Sequence, residues 1–226
     1  MRIVVLTLFP SMFAGPLSES ILKRAAANKI VSIDIVNFRD FSRDKHKKVD
    51  DIPYGGGSGM VLKPEPLFDA VTFWQKKLDK SAKVILLSPQ GKIFNQKAAY
   101  KLSLGPDLIF ICGHYEAVDE RIRELLVDEE WSIGDYILTG GEIPAMAMID
   151  SIVRLLPGVL GSEDAHNMES FYDNLLEYPQ YTRPRTFQGI NVPEVLLSGD
   201  HKKIEEFRKK ESLKRTAERR PDLLNN

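Results

Sequence analysis

Four short apolar runs constrain this chain most: RIVVLTL at 2–8, VSIDIV at 31–36, KVILLS at 83–88 and DLIFIC at 107–112. They are β-branched or leucine-rich and lack the sustained alternation of a strand with one wet face, so they read as strands covered on both sides. Helical stretches at about 16–28, 65–79, 95–103 and 118–126 separate them. In the last, Val118, Ile122, Leu125 and Leu126 share a face, and Asp119 and Glu120 fall in the first turn, where acids suit the helix dipole. This β-α alternation predicts an α/β domain with a mainly parallel sheet. A further helix is expected from Pro144 to about Leu156, with Ala145, Met148, Ile149, Ile152 and Leu156 as its apolar stripe.

Beyond Pro157-Gly158 the texture changes. Residues 158–190 keep no period and are rich in Gly, Pro, Ser and acids. The expected division is a first domain over 1–160, a linker over 161–175 and a small, mostly helical domain over 176–226. Within the latter, Pro193 to Leu197 reads as a short extended segment, and Ser198 or Asp200 as the cap of a helix running to about Arg220.

The single cysteine, Cys112, forbids an intrachain disulfide and argues for the cytoplasm. It reads as a packed strand-end residue rather than a nucleophile. No apolar run approaches the ~20 residues of a membrane span. The net charge of −1 is a cancellation of 31 basic against 32 acidic residues. Residues 201–220 hold nine Lys/Arg against four Glu, and residues 39–48 hold five against two Asp, whereas 116–130 and 161–178 are acidic. Such islands suit either RNA phosphate or a merely solvated charged face.

Three glycine-containing turns are placed where an open parallel sheet binds ligands, outside the strand carboxyl ends. They are Ser88-Pro89-Gln90-Gly91, Gly113-His114-Tyr115-Glu116 and the stretch Ser132 to Glu142. Singly each is a tight turn; on one rim they make a cradle of free backbone groups. The Gly55, Gly57, Gly59 loop is not a dinucleotide turn, because Asp50 to Pro53 reads as no strand and Pro64 and Pro66 follow closely. Beside the basic stretch 43–48 it fits a substrate-contacting segment. His46, His114, His166 and His201 have no metal-ligand spacing.

These segments together resemble the bacterial tRNA (guanine-N1)-methyltransferases of the knotted SPOUT class. The matching blocks include DKHKKVDDIPYGGGSGMVLKPEP at 44–66, LSPQGKIFNQ at 87–96, ICGHYEAVDERI at 111–122, SIGDYILTGGEIPAMAMIDSIVRLLPGVLG at 132–161 and YTRPRTFQGINVPEVLLSGDHKKIEEFR at 181–208. The resemblance implies an α/β SPOUT-type parallel sheet with a deep trefoil knot, followed by the small helical domain. It also implies S-adenosylmethionine as methyl donor, N1 of guanosine 37 in tRNA as acceptor, and a homodimer whose two protomers build each site. Leu87, Ser88, Pro89, Gly113, Glu116, Ile133, Gly134, Asp135, Tyr136, Ile137, Leu138, Gly140 and Gly141 would surround the donor. His46, Asp50, Gly59 and the basic C-terminal helix would hold the tRNA. A role for Mg²⁺ is not read from the residues.

N1 of neutral guanine carries a proton, so methylation there needs a base to remove it and a cation to stabilise charge gathering on O6. The resemblance puts the cation at Arg154 and the base at Glu169, just before Ser170-Phe171, where aspartate is usual; Ala117 likewise replaces a usual glycine. Plainer readings stand beside these: Arg154 as an i,i+4 partner of Asp150, Glu169 as a solvated charge, Glu116 as the cap of the helix near Val118, and Asp119 and Arg121 as surface residues.

Overall fold

The four runs form neighbouring strands of one parallel sheet: β1 (Arg2–Thr7), β2 (Ser32–Asn37), β5 (Lys83–Ile93) and β6 (Leu108–Cys112). A fifth strand, β8 (Glu129–Ser132), completes the order β2-β1-β6-β5-β8, with every pairing parallel. The computed structural model describes residues 1–78, 81–161 and 169–225. Residues 162–168 of the expected linker, with His166, lie outside them. The chain divides into two compact units, Met1–Gly161 and Ser162–Asn226.

Alternate residues of the central strands feed two cores, as the two-residue strand period requires. Ile3, Val5, Ile85, Leu87, Leu108 and Phe110 pack with α1 (Ser20–Ala27), α3 (Gln96–Ser103) and α5 (Glu142–Val153). Val4, Leu6, Val84, Leu86, Ile109 and Ile111 pack with α2 (Pro64–Lys77) and α4 (Glu120–Leu126). Helices cover both faces, which is why these strands carry so few polar residues.

Several boundaries differ from expectation. The helix expected over about 16–28 is a 3₁₀ turn, Pro16–Ser18, followed by α1, and another 3₁₀ turn, Pro10–Phe13, comes before it, with Pro10 and Pro16 each opening a short turn. β5 continues through Pro89 to Ile93: Leu87 and Lys92 both pair with Trp131, so the expected turn is a bulge within one strand. α5 begins at Glu142, two residues ahead of Pro144, and Arg154 is its C-cap. Asp50–Asp51, expected to be no strand, form the two-residue β3 antiparallel to β4 (Val61–Leu62), which pairs in parallel with β7 (Ala117–Val118). Asp119, not Glu116, caps α4, accepting the Arg121 backbone N–H at 3.0 Å.

In the second unit a hairpin, β9 (Thr186–Phe187) and β10 (Ile190–Asn191), precedes a 3₁₀ turn at Glu194–Leu197, where extended chain was expected. Asp200 caps α6 (His201–Arg219), its side chain accepting the Lys203 N–H at 3.2 Å. Buried Thr216 of α6 accepts the Leu176 N–H at 2.8 Å, and the Arg208 guanidinium lies 4.7 Å from the Tyr178 ring centroid. These contacts hold the segment entering the unit against the helix. No helix of the described residues is long and apolar enough to cross a membrane.

Candidate active site

The carboxyl ends of β5, β6 and β8 open into one cavity of about 350 Å³ in the first unit. This is where an open parallel sheet leaves room for a ligand, between strands whose crossovers run to opposite sides. Of the residues expected around the donor, all but Asp135 line it: Leu87, Ser88 and Pro89 from β5, Gly113 and Glu116 after β6, Ile133, Gly134, Tyr136, Ile137 and Leu138 after β8, and Gly140 and Gly141 before α5. Gln90, His114, Tyr115, Trp131, Thr139 and Pro144 also line it, and were not singled out as donor residues. The third turn follows a strand, β8, that the sequence concealed behind two acids.

Hydrogen bonds fix the rim. The Gly141 N–H donates to the Gly113 carbonyl at 2.9 Å, tying the last turn to the end of β6. Arg123 of α4 donates from Nη1 to Gln90 Oε1 at 3.0 Å, clasping the β5 bulge. Ser132 Oγ donates to the Gly134 carbonyl at 3.0 Å. Beneath the rim, Glu142 accepts from Thr7 Oγ1 at 2.6 Å and lies 2.8 Å from His114 Nε2. Cys112 is fully buried at the end of β6, and burial, then the charge of Glu142, pushes its thiol pKa up, so it is no ready thiolate.

The glycine loop reaches the cavity through the small sheet. β4 pairs with β7, the Glu116 N–H donates to the Met60 carbonyl at 3.0 Å, and the Glu116 side chain lies over Gly59. An expected acceptor residue and an expected donor residue are thus neighbours. Asp50 is half-buried in β3, and exposed His46 donates its backbone N–H to Asp44 Oδ1 at 2.7 Å. That bond and a second from Lys48 hold the Asp44 carboxyl below the usual range.

Arg154, half-buried, belongs to the first unit, and its N–H donates to the Asp150 carbonyl at 3.1 Å. Glu169 belongs to the second, in a turn where its carbonyl accepts the Tyr172 N–H at 3.3 Å and Ser170 Oγ accepts the Glu177 N–H at 3.0 Å. Among the described residues no group of three or more His, Cys, Asp or Glu is arranged to hold a metal ion.

The sequence model of the family described as tRNA (guanine-1)-methyltransferase TrmD matches residues 1–226, the entire chain. The chain belongs to this family. Among curated TrmD relatives, proteins described as tRNA (guanine-N(1)-)-methyltransferase from Anoxybacillus flavithermus and Staphylococcus carnosus are 60% and 59% identical over 224 residues, 99% of this chain and 91% of each relative. The protein of that description from Bacillus subtilis is 58% identical over 99% of this chain and 92% of its own length. A TrmD chain is a methyltransferase chain, and its cavity is to be read as such.

Proposed function

We propose that this chain transfers a methyl group from S-adenosylmethionine to N1 of guanosine 37 in tRNA, next to the anticodon, and that it does so as a homodimer. The observation that carries the reading is the cavity at the ends of β5, β6 and β8. Its volume of about 350 Å³ falls within the ~300–1,000 Å³ of small-molecule sites, and its lining mixes apolar walls with three backbone-rich turns. That lining suits a nucleoside, whose base edge seeks backbone N–H and C=O partners while its faces seek apolar contact.

Leu87, Ser88, Pro89, Gly113, Glu116, the Ile133–Leu138 segment, Gly140 and Gly141 would hold the donor. Bound there, S-adenosylmethionine supplies an electrophilic methyl on a sulfonium. The chain's own task is to prepare the acceptor. Glu169 takes the proton from guanine N1, and the Arg154 guanidinium stabilises charge on O6. Gly59 and the loop around it present the acceptor beside Glu116, while His46, Asp50 and the nine Lys/Arg of residues 201–220 engage RNA.

The knot expected of the family is supported by the way the N-terminal end of α5 and the glycine before it are tied to the ends of β1 and β6, through Glu142 to Thr7 and Gly141 to Gly113. A second protomer over the cavity is favoured by Tyr136 and Ile137, which are 55% and 81% exposed on the loop above it. Nucleoside mapping after incubation with unmodified tRNA and S-adenosylmethionine tests the activity. The expected product is 1-methylguanosine at position 37; methyl on a ribose oxygen or another base overturns the assignment.

A further inference from the structure

We propose that His114, Glu142 and Thr7 form an internal latch that fixes the Gly140-Gly141 rim of the cavity, making them positioning residues for donor binding. The inference rests on the donor reading of that cavity.

Glu142 is 1% exposed, in the first turn of α5. A carboxylate buried so completely is costly unless its oxygens are satisfied. Its two oxygens are met from two different strands. Thr7 Oγ1, at the end of β1, donates to Oε1 at 2.6 Å, and Oε2, which as a carboxylate oxygen only accepts, lies 2.8 Å from His114 Nε2, just past β6. Thr7 Oγ1 in turn accepts the Phe9 N–H at 2.9 Å, and the Phe9 ring lies 4.7 Å from the His114 ring. Residues 135 and 28 positions from Glu142 therefore converge on one carboxylate.

The rim closes directly on this cluster. Gly140 pairs with His114 as a β-bridge, and a Cβ at Gly140 would overlap both His114 Nε2 and Glu142 Oε2. His114, Gly140 and Gly141 line the cavity, whereas Thr7 and Glu142 do not. The latter two reach the ligand space only through the backbone they hold. A buried polar cluster is a poor way to gain stability, since well-packed apolar side chains do as well or better. Placed under a ligand rim, it acts instead by holding backbone groups at fixed positions, as supporting shells of precise sites do.

Calorimetric titration of the full chain with S-adenosylhomocysteine, alongside the KM for tRNA, tests the latch. His114→Ala is expected to weaken binding about tenfold and Thr7→Val, which keeps shape and loses the donor, about threefold. His114→Gln, whose amide nitrogen reaches the place of Nε2, is expected to stay within about threefold of wild type. The KM for tRNA is expected not to move. Wild-type affinity in both His114→Ala and Thr7→Val overturns the latch, as does His114→Gln binding as weakly as His114→Ala. Should His114→Ala fail to fold, Thr7→Val decides, and wild-type affinity there overturns the latch. A wild-type chain that binds no S-adenosylhomocysteine brings down the donor reading, and the latch with it; intact wild-type binding with unaffected variants removes the latch alone.

Discussion

At Gly141 the chain has no room for a side chain. A Cβ there would stand 2.7 Å from Cys112 Cα and 3.0 Å from the Gly113 nitrogen, both backbone atoms that cannot swing aside. At Gly113, across the same junction, the nearest atoms would be 3.6 Å and 3.7 Å away, ordinary contacts. The two glycines of one rim therefore separate under substitution. Gly141→Ala is expected to cost about 1–3 kcal/mol, the range for forcing atoms into a packed interior. Gly113→Ala is expected to cost under about 1 kcal/mol. Urea denaturation of both variants checks this, and equal losses would contradict the geometry. Position along the chain told only that both residues sit in turns. The difference between them comes from what lies opposite, and that is fixed by the pairing of β6 with the segment before α5. His114 and Glu142 were illegible for the same reason. A histidine without ligand spacing and an acid in a first helical turn each have an ordinary local reading, and only the fold brings them to 2.8 Å.

At the scale of elements, β8 marks the limit of reading by pattern. Its sequence, EEWS, offers two acids and no apolar run, and a third acid, Asp128, precedes it. Tertiary pairing overrides that composition, because the charges are met. Lys83 donates to Glu129 Oε1 at 2.6 Å, Trp131 Nε1 to Glu129 Oε2 at 2.9 Å, and Arg123 lies 3.2 Å from Glu130. Burial raises the Glu129 pKa, but the hydrogen bonds from Lys83 and Trp131 and the nearby lysine charges outweigh it, so the folded value is lowered. A carboxyl with a depressed folded pKa stabilises fully above its unfolded value and loses that contribution as pH falls through the folded one. Glu129→Gln is thus expected to cost about 1 kcal/mol at neutral pH. The gap to wild type should close below the ordinary carboxylate range. Thermal unfolding of both proteins across pH 7 to 3 measures it, and a gap that persists at low pH would assign the loss to packing. The inner strands β1, β5 and β6 were legible because burial on both faces imposes composition directly, whereas β2, read as covered on both sides, is an edge strand with no fully buried residue; an edge strand stabilised by ion pairs, such as β8, carries no such mark.

At the scale of the whole molecule, the division into two units places the proposed base and the proposed donor site in different units. The cavity and Arg154 belong to Met1–Gly161, whereas Glu169 belongs to Ser162–Asn226. Glu169 is not among the residues that line the cavity, so its proposed part is in proton removal and not in donor binding. Glu169→Gln keeps the size of the side chain and removes its basicity. Its turnover on tRNA is expected to fall by about 10²–10⁴, the usual contribution of a general base. Binding of S-adenosylhomocysteine should stay within about twofold of wild type, because no residue of the cavity lining changes. Glu169→Asp, which restores the residue usual in the resemblance, should keep most of the turnover, because the carboxylate remains and only a methylene is lost. Single-turnover rates with calorimetry on the same preparations decide. Near-normal rates in Glu169→Gln would remove Glu169 as the base. A matching loss of donor affinity would instead give it a part in forming the donor site.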